Sequence, residues 1–409
     1  MTGNDLLRLY SNRNSVFSEQ LANVSGKINQ ISNARLAVAI LFVAVLYFGL
    51  RSPIFLYTLP VFLGVFILLI RTHGKLFDKR VHVKNLVAVN AAEVEVLRGD
   101  ASALHPGNEF TNTHHAYAND LDIFGDGSLY QNLNRCNTLN GRKKFADHLS
   151  NPLQSAEDIA MRQSAIRELS AQLEFRQQFQ ATGMEMSEIP EDREQLLSWI
   201  RQPAFLFGRK GYQLVLVIVP VFTIALIVAS FFSPTFRPFA FLAAACQWGF
   251  IGIRMKRINT FHDYISRKKN ILKKYSRLLH LLREHRFSSP LMTRLYSQAR
   301  DADQKVEQFA SLVSFFDARL NSMTMLVVNS ILLFDLQCVY RLEKWKEENA
   351  GDFEKWLEAV NEAEVLCSFG TYAFNHPAFI FPEIDSNLSI TAKHMGHPLI
   401  DAADCVVND

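Results

Sequence analysis

Four uncharged apolar runs punctuate this 409-residue chain. Leu36 to Leu50 is bracketed by Arg35 and Arg51, and Ser52 to Ile70 ends at Arg71. Tyr212 to Phe232 and Pro238 to Ile253 are joined by Ser233-Pro-Thr-Phe-Arg237. A bilayer core of about 30 Å needs roughly 20 helical residues. The second run comes close to that length, and the first depends on snorkelling by its flanking arginines. The pattern predicts two helical hairpins, over 35–71 and 212–253, the first turning at Arg51-Ser-Pro53. The competing arrangement, two hairpins buried in a large soluble core, would have to hide four charge-free runs inside one domain.

The polar stretches carry helical spacing. Residues 1–34 place Leu6, Leu7, Tyr10, Val16, Phe17, Leu21, Val24, Ile28 and Ile31 on an amphipathic helix or two. The apolar run behind them starts too late for a signal peptide and lacks a small-residue cleavage site. Residues 72–119 form a linker region that ends in a loop with His105-Pro-Gly and His114-His115. These histidines have no Cys or acidic partner at ligand spacing, so a solvated loop is predicted and no metal site. Over 120–208, helices break at Asn151-Pro152, Gly183 and Ile189-Pro190, with Ser155 capping a helix whose first turn holds Glu157 and Asp158. Residues 254–287 and 300–347 read as two long helices. In the second of these, Met323 to Phe334 is too short to span and is assigned to a packed core.

Charge sets the orientation. The net value, +3, says little, but its distribution says more. Arg71, Lys75, Lys79 and Arg80 follow the second run, Arg209 and Lys210 precede the third, and Arg254, Lys256 and Arg257 follow the fourth. By the positive-inside rule both hairpins enter and leave on the cytoplasmic side, which predicts a multi-pass protein of the inner (cytoplasmic) membrane with its soluble parts inside. No ionisable residue lies within the runs, so they read as anchors rather than a transport path. Residues 254–287 hold eleven Lys or Arg against Asp263 and Glu284. Three readings of that excess stay open: topology-setting charge, attraction to anionic lipid headgroups, and a phosphate-binding DNA face. Arg267, Lys268, Lys269, Lys273, Lys274 and Arg277 are the candidate contacts. The five cysteines are scattered and odd in number, as expected of reduced thiols facing the cytosol.

Two segments carry a family resemblance. Asp120-Leu-Asp-Ile-Phe-Gly125 with Gly127-Ser-Leu129 reads as a strand-like piece closed by a Gly-rich turn, with Ser128 as a helix cap. Leu129, Leu133, Cys136 and Leu139 then fall near helical spacing. Together with Asn134-Arg-Cys-Asn-Thr138, Asn140-Gly-Arg-Lys143, Leu149-Ser-Asn-Pro-Leu153, Arg162-Gln163 and Arg167-Glu-Leu169, this stretch resembles the lever-bearing core domain of the MutS-type DNA mismatch-repair ATPases. The second segment is Trp356 to Gly370, similar to the helix that opens the MutS ATPase domain. Phe379-Ile-Phe-Pro-Glu383 and Leu388-Ser-Ile-Thr391 look like that domain's first strands, and Gly396-His-Pro-Leu-Ile400 resembles its Arg-His-Pro element. Phe17-Ser-Glu19 fits the family's Phe-x-Glu wedge only superficially, because the same pattern recurs at Phe381-Pro-Glu383.

The hydropathy pattern and the resemblance together predict a mainly α fold: the membrane helical hairpins from the apolar runs, and, implied by the resemblance, a MutS-like helical core over 120–208, lever helices over 254–347, and the first β-strands of a P-loop ATPase domain over 352–409. The resemblance also implies ATP-dependent binding of mismatched double-stranded DNA, a homodimer in the complete protein, and adenine contact near Cys405, Val406 and Asn408, with Cys405 where an aromatic ring usually stacks. No Gly-x-x-x-x-Gly-Lys-Ser/Thr occurs in the 409 residues, and such a loop is what cradles phosphates. ATP and Mg²⁺ are therefore expected only in a complete protein, these residues alone should not hydrolyse ATP, and no catalytic residue is assigned. The competing function is a non-catalytic membrane scaffold that uses the lever for contacts with other proteins and with membrane lipids.

Overall fold

The computed structural model describes residues 2–49, 52–384, 390–400 and 405–408, apart from the side chains at 53, 55, 56, 190–194 and 324. In chain order the α-helices are α1 (Gly3–Gly49), α2 (Leu59–Leu97), α3 (Leu129–Leu133), α4 (Leu139–Ser150), α5 (Ala156–Ser170), α6 (Leu173–Gly183), α7 (Pro190–Arg201) and α8 (Lys210–Phe232). They continue with α9 (Arg237–Gly252), α10 (Met255–Ser266), α11 (Lys269–Glu284), α12 (Pro290–Ala299), α13 (Ala302–Phe316), α14 (Asn329–Leu332) and α15 (Phe334–Asn375). The mainly α reading holds. The expected C-terminal strands do not form: among the described residues the sole β pairing is an isolated bridge between Met395 and Asn408. A strand persists only where a neighbour takes up its backbone groups, and Phe379–Glu383 has no such ladder. Leu388 and Ser389, and the expected hairpin tip at Arg51, lie outside the described residues.

The chain divides into two compact units, one made of Met1–Glu185 with Glu364–Asp409, the other of Met186–Ala363. In the first, α1 and α2 run antiparallel. The Asn14 side-chain amide donates to the Val87 carbonyl (3.0 Å), and Ser32 meets His73 (3.1 Å) further along. Both helices pass through the boundaries expected at residues 34 and 71. No Pro or Gly interrupts Lys27 to Phe48, so the amphipathic and apolar parts of α1 join into one 47-residue rod. Helices α3 to α6 and residues Glu364–Asn375 of α15 complete this unit. Its core gathers Tyr130, Leu133, Cys136, Phe145, Ala146 and Val365.

The second unit is built on a stack of aromatic rings. Trp199 lies parallel to Phe309 at 5.2 Å, and Phe309 to Trp345 at 4.3 Å. Around it pack the buried apolar stripes of α11 (Leu272, Leu279, Leu282) and α13 (Val306, Val313, Phe316). The two long helices expected over 254–347 are both interrupted. The first divides into α10 and α11, and the second stops at Phe316 and resumes at Phe334. Asp317 ties the two interruptions together by accepting from His262 Nε2 (3.1 Å), Ser266 Oγ (2.5 Å) and Lys269 Nζ (3.1 Å). A charge satisfied by that set holds the chain out of helical register at both places.

Among the described residues, helices α1, α2 and α8 are long and apolar enough to cross a membrane, and two bent pairs of helices would raise the number to five. The outward side chains of α8 and α9, among them Val217, Val221, Phe231, Phe232 and Phe241, are exposed.

Candidate functional site

Asn134 to Arg142, within the stretch that resembles the MutS core, is a loop that grips α15. Helix α3 starts as anticipated, with Ser128 accepting from Gln131 N–H, and Gly125 and Gly127 take positive φ (113° and 74°) in the turn before it. It then ends at Leu133 instead of running on through Cys136 and Leu139. The reason is a better set of partners. Arg135 N–H donates to Ser368 Oγ (3.0 Å), while Asn137 and Thr138 N–H donate to the Glu364 carboxylate (3.0 and 3.2 Å). The Thr138 hydroxyl donates to the same carboxylate and accepts from Gly141 N–H, so it both binds Glu364 and caps α4. A Cβ at Gly141 would overlap Glu364 Oε2, which is why glycine stands there. Below the loop, Arg135 forms a fully buried, two-pronged ion pair with Glu93 (2.6 and 3.0 Å). Asn375 donates to Glu93 (2.8 Å) and accepts from Tyr10 OH (2.8 Å).

This network holds rather than reacts. The carboxylates are saturated with donors, and burial pushes the neighbouring Cys136 thiol up and the Cys367 thiol up to about 12, leaving both protonated. Among the described residues no group of three His, Cys, Asp or Glu could hold a metal ion.

The basic stretch is divided by the structure. Lys274 is buried, ion-paired with Glu188 and bonded to the Met186 carbonyl (3.1 Å), and Lys268 is buried as well. Lys269 is half-buried and held by Asp317. Arg267 and Lys273 are exposed and Arg277 is partly so. Lys269, Lys273 and Arg277 follow one another at i, i+4 on α11, so they share a face. The six candidates therefore do not form one basic surface: Lys268 and Lys274 are core members, and the solvent side keeps Arg267, Lys273 and Arg277. Sequence spacing missed this because Glu188, the partner that draws Lys274 inward, lies 86 residues away in the chain.

At the C-terminus, Cys405 is half-buried and Val406 is exposed, and Asn408 exchanges backbone hydrogen bonds with Met395 (2.7 and 3.1 Å). The bridge sets these residues beside Met395 to His397, with Cys405 Sγ 3.8 Å from the His397 carbonyl. A separate groove of about 460 Å³ is lined by Ile166, Tyr372, His376, Phe379 and Phe381 among others. Arg167 lies over the Phe381 ring (4.5 Å), and Gln163 donates to the Pro382 carbonyl (2.8 Å), so α5 holds the Phe379–Glu383 segment. Burial lowers the pKa of His376, which keeps its ring neutral against Phe379.

Sequence reasoning missed the grip on Glu364. A signal was present: Glu364 is a charge set between the buried Val360, Ala363, Val365 and Cys367 of α15, and a buried carboxylate needs donors.

A protein-family model, MutS domain III, matches residues 110–370, well over half of the chain. Comparison with curated proteins and with solved structures gave no match.

Proposed function

The chain belongs to the MutS family through its domain III, and we propose that it is a membrane-tethered relative in which a helical lever body is held at a bilayer by apolar hairpins. In this reading the body binds double-stranded DNA in an ATP-dependent cycle of the mismatch-repair type. One observation carries the reading. The hairpin α8/α9, with its apolar side chains turned outward, lies inside the matched interval 110–370, so the anchor is built into the domain rather than appended to it. Exposed apolar surface on that scale is rare on soluble monomers and marks a membrane or protein partner. The feet of the hairpin are drawn together by Arg254, which donates to Tyr212 OH (2.9 Å) and covers the Phe250 ring (4.1 Å). With Arg209, Lys210, Lys256 and Arg257 beside them, these feet fit the cytoplasmic face of an inner membrane.

For DNA, Arg267, Lys273 and Arg277 supply the solvent-facing cations. ATP, Mg²⁺ and homodimerisation are carried over from the family and are part of the same proposal. The test is duplex binding by the reconstituted protein at several salt concentrations. About three phosphate contacts give a slope of log K against log salt near −2.7. The triple change Arg267→Glu, Lys273→Glu, Arg277→Glu should abolish binding. Flat or absent binding by the unchanged protein would overturn the DNA reading and leave the lever to protein contacts.

A further inference from the structure

Between α13 and α15 the chain makes an excursion that the sequence pattern assigned to a packed core. Leu320 to Phe334 contains no ionisable residue, and Leu320, Met323, Leu326, Val327 and Leu332 are exposed. Its two ends are pinned to one another. Arg319 donates to Asp335 from Nε (3.2 Å) and from its terminal nitrogen (3.0 Å), and both side chains are buried. Asp335 N–H also bonds Asn329 Oδ1 (2.9 Å), and Leu333, at φ 50°, reverses the path. The excursion thus leaves and returns at one level.

Its backbone is irregular, with a π-helical turn over Thr324–Val328 before the short α14. The hairpin α8/α9 and α15 take up its carbonyls. Trp248 Nε1 donates to Leu326 O (3.1 Å), Gln247 Nε2 to Ile331 O (3.4 Å), and Gln337 Nε2 to Leu332 O (2.7 Å). Gln247 also donates to Thr223 Oγ1 (2.6 Å), joining α8 and α9 at the same depth. Irregular backbone survives within hydrocarbon only where neighbouring protein satisfies its polar groups, and these bonds supply that.

We propose that Leu320–Leu332 is a re-entrant element that dips into the bilayer against α8/α9 and withdraws on the same side, its partner being lipid acyl chains. The element rests on the membrane reading above, since its exposed face continues the apolar surface of that hairpin. The π turn and α14 together, Thr324 to Leu332, rise about 13 Å, under half of a core of about 30 Å. The element therefore cannot cross. Nor can α15 continue it as a bent span, because Asp335, Arg341, Glu343 and Lys344 follow at once.

The test uses the full chain without its native Cys246 and Cys405, reconstituted in phosphatidylcholine vesicles. Cysteines introduced one at a time at Val327, at Val221 on α8 and at Arg286 carry an environment-sensitive fluorophore, the native Cys136, Cys338 and Cys367 being buried. Spin-labelled lipid should quench the labels at 327 and 221, and aqueous iodide the label at 286. Lipid quenching at 221 with iodide quenching at 327 would overturn the re-entrant element while the anchor stands. Iodide quenching at both would overturn the anchor and the element together. An impermeant maleimide should reach cysteines at Gln308 and Lys344 from the same vesicle face, and opposite faces would refute re-entry.

Discussion

Replacing Glu364 by alanine tests whether the Asn134–Arg142 loop is a grip on α15. The carboxylate accepts from two backbone N–H groups and the Thr138 hydroxyl, and Thr138 is fully buried. Truncation leaves three donors without acceptors. Each unsatisfied buried donor costs about 1–3 kcal/mol, and groups sharing one partner do not add fully. An opening cost for the loop lowered by about 3–5 kcal/mol is expected. At about 1.4 kcal/mol per factor of ten, that is roughly a 10²–10³-fold loss of hydrogen-exchange protection or more. The assay is exchange at the Asn137, Thr138 and Gly141 amides, with Lys143 to Ser150 of α4 as an internal reference. Glu364→Gln keeps one acceptor oxygen but turns an NH₂ donor toward the other donors, so its loss of protection should be smaller than that of Glu364→Ala but measurable. Thr138→Val should weaken the loop on its own, and in the Glu364→Ala background it should add only the loss of the Gly141 cap, since the Thr138–Glu364 bond is removed by either change. Unchanged protection at Asn137 and Thr138 in Glu364→Ala would refute the reasoning, because those amides have no other acceptor named in the loop.

Three further outcomes follow from the same structure. Arg135→Leu or Glu93→Leu alone strands a buried charge and should cost about 3–5 kcal/mol in urea unfolding, whereas the double change should cost much less. Equal losses for single and double variants would contradict this. Glu343 accepts from the N–H groups of Phe205, Leu206 and Phe207 (2.7, 2.8 and 2.9 Å). Glu343→Ala should therefore expose the segment before α8 to limited proteolysis, while Lys344→Ala, on the exposed side, should not. The thiols of Cys338 and Cys367 are pushed up to about 12 from an ordinary 9.0, chiefly by burial. Their contribution to stability is complete below about pH 8 and falls as pH climbs through 9 toward 12, because at first only the unfolded chain ionises. Thiol titration at pH 7 to 9 should modify Cys405 and spare both. Rapid modification of Cys367 in the folded protein would show that its burial is wrong.

Much of this architecture is legible in the sequence. The helix caps Ser128 and Ser155, the stops at Asn151-Pro152 and Gly183, and the apolar runs of the hairpins follow from local chemistry, and the structure has them where the residues put them. The departures share one cause. Where a polar group finds a distant partner, that partner overrides helical spacing. Glu364 draws Asn137 and Thr138 out of helix, Glu188 draws Lys274 inward, and Asp317 stands at the breaks on either side of it. Spacing along one stretch carries no record of a residue about fifty to two hundred positions away. The C-terminal strands failed for a related reason: a strand is defined by its neighbour, and Phe379 to Glu383 is held by α5 side chains instead.

The most direct measurement of the central reading is co-flotation. The protein, reconstituted in zwitterionic phosphatidylcholine vesicles, is centrifuged through a density gradient with a labelled DNA duplex at 50 mM and 200 mM salt. The account predicts that protein and vesicles rise together, that the duplex rises with them at low salt, and that high salt or the Arg267→Glu, Lys273→Glu, Arg277→Glu variant leaves the duplex below. Protein that stays at the bottom would contradict the anchor. Protein that floats without DNA at 50 mM salt would contradict the DNA-binding lever.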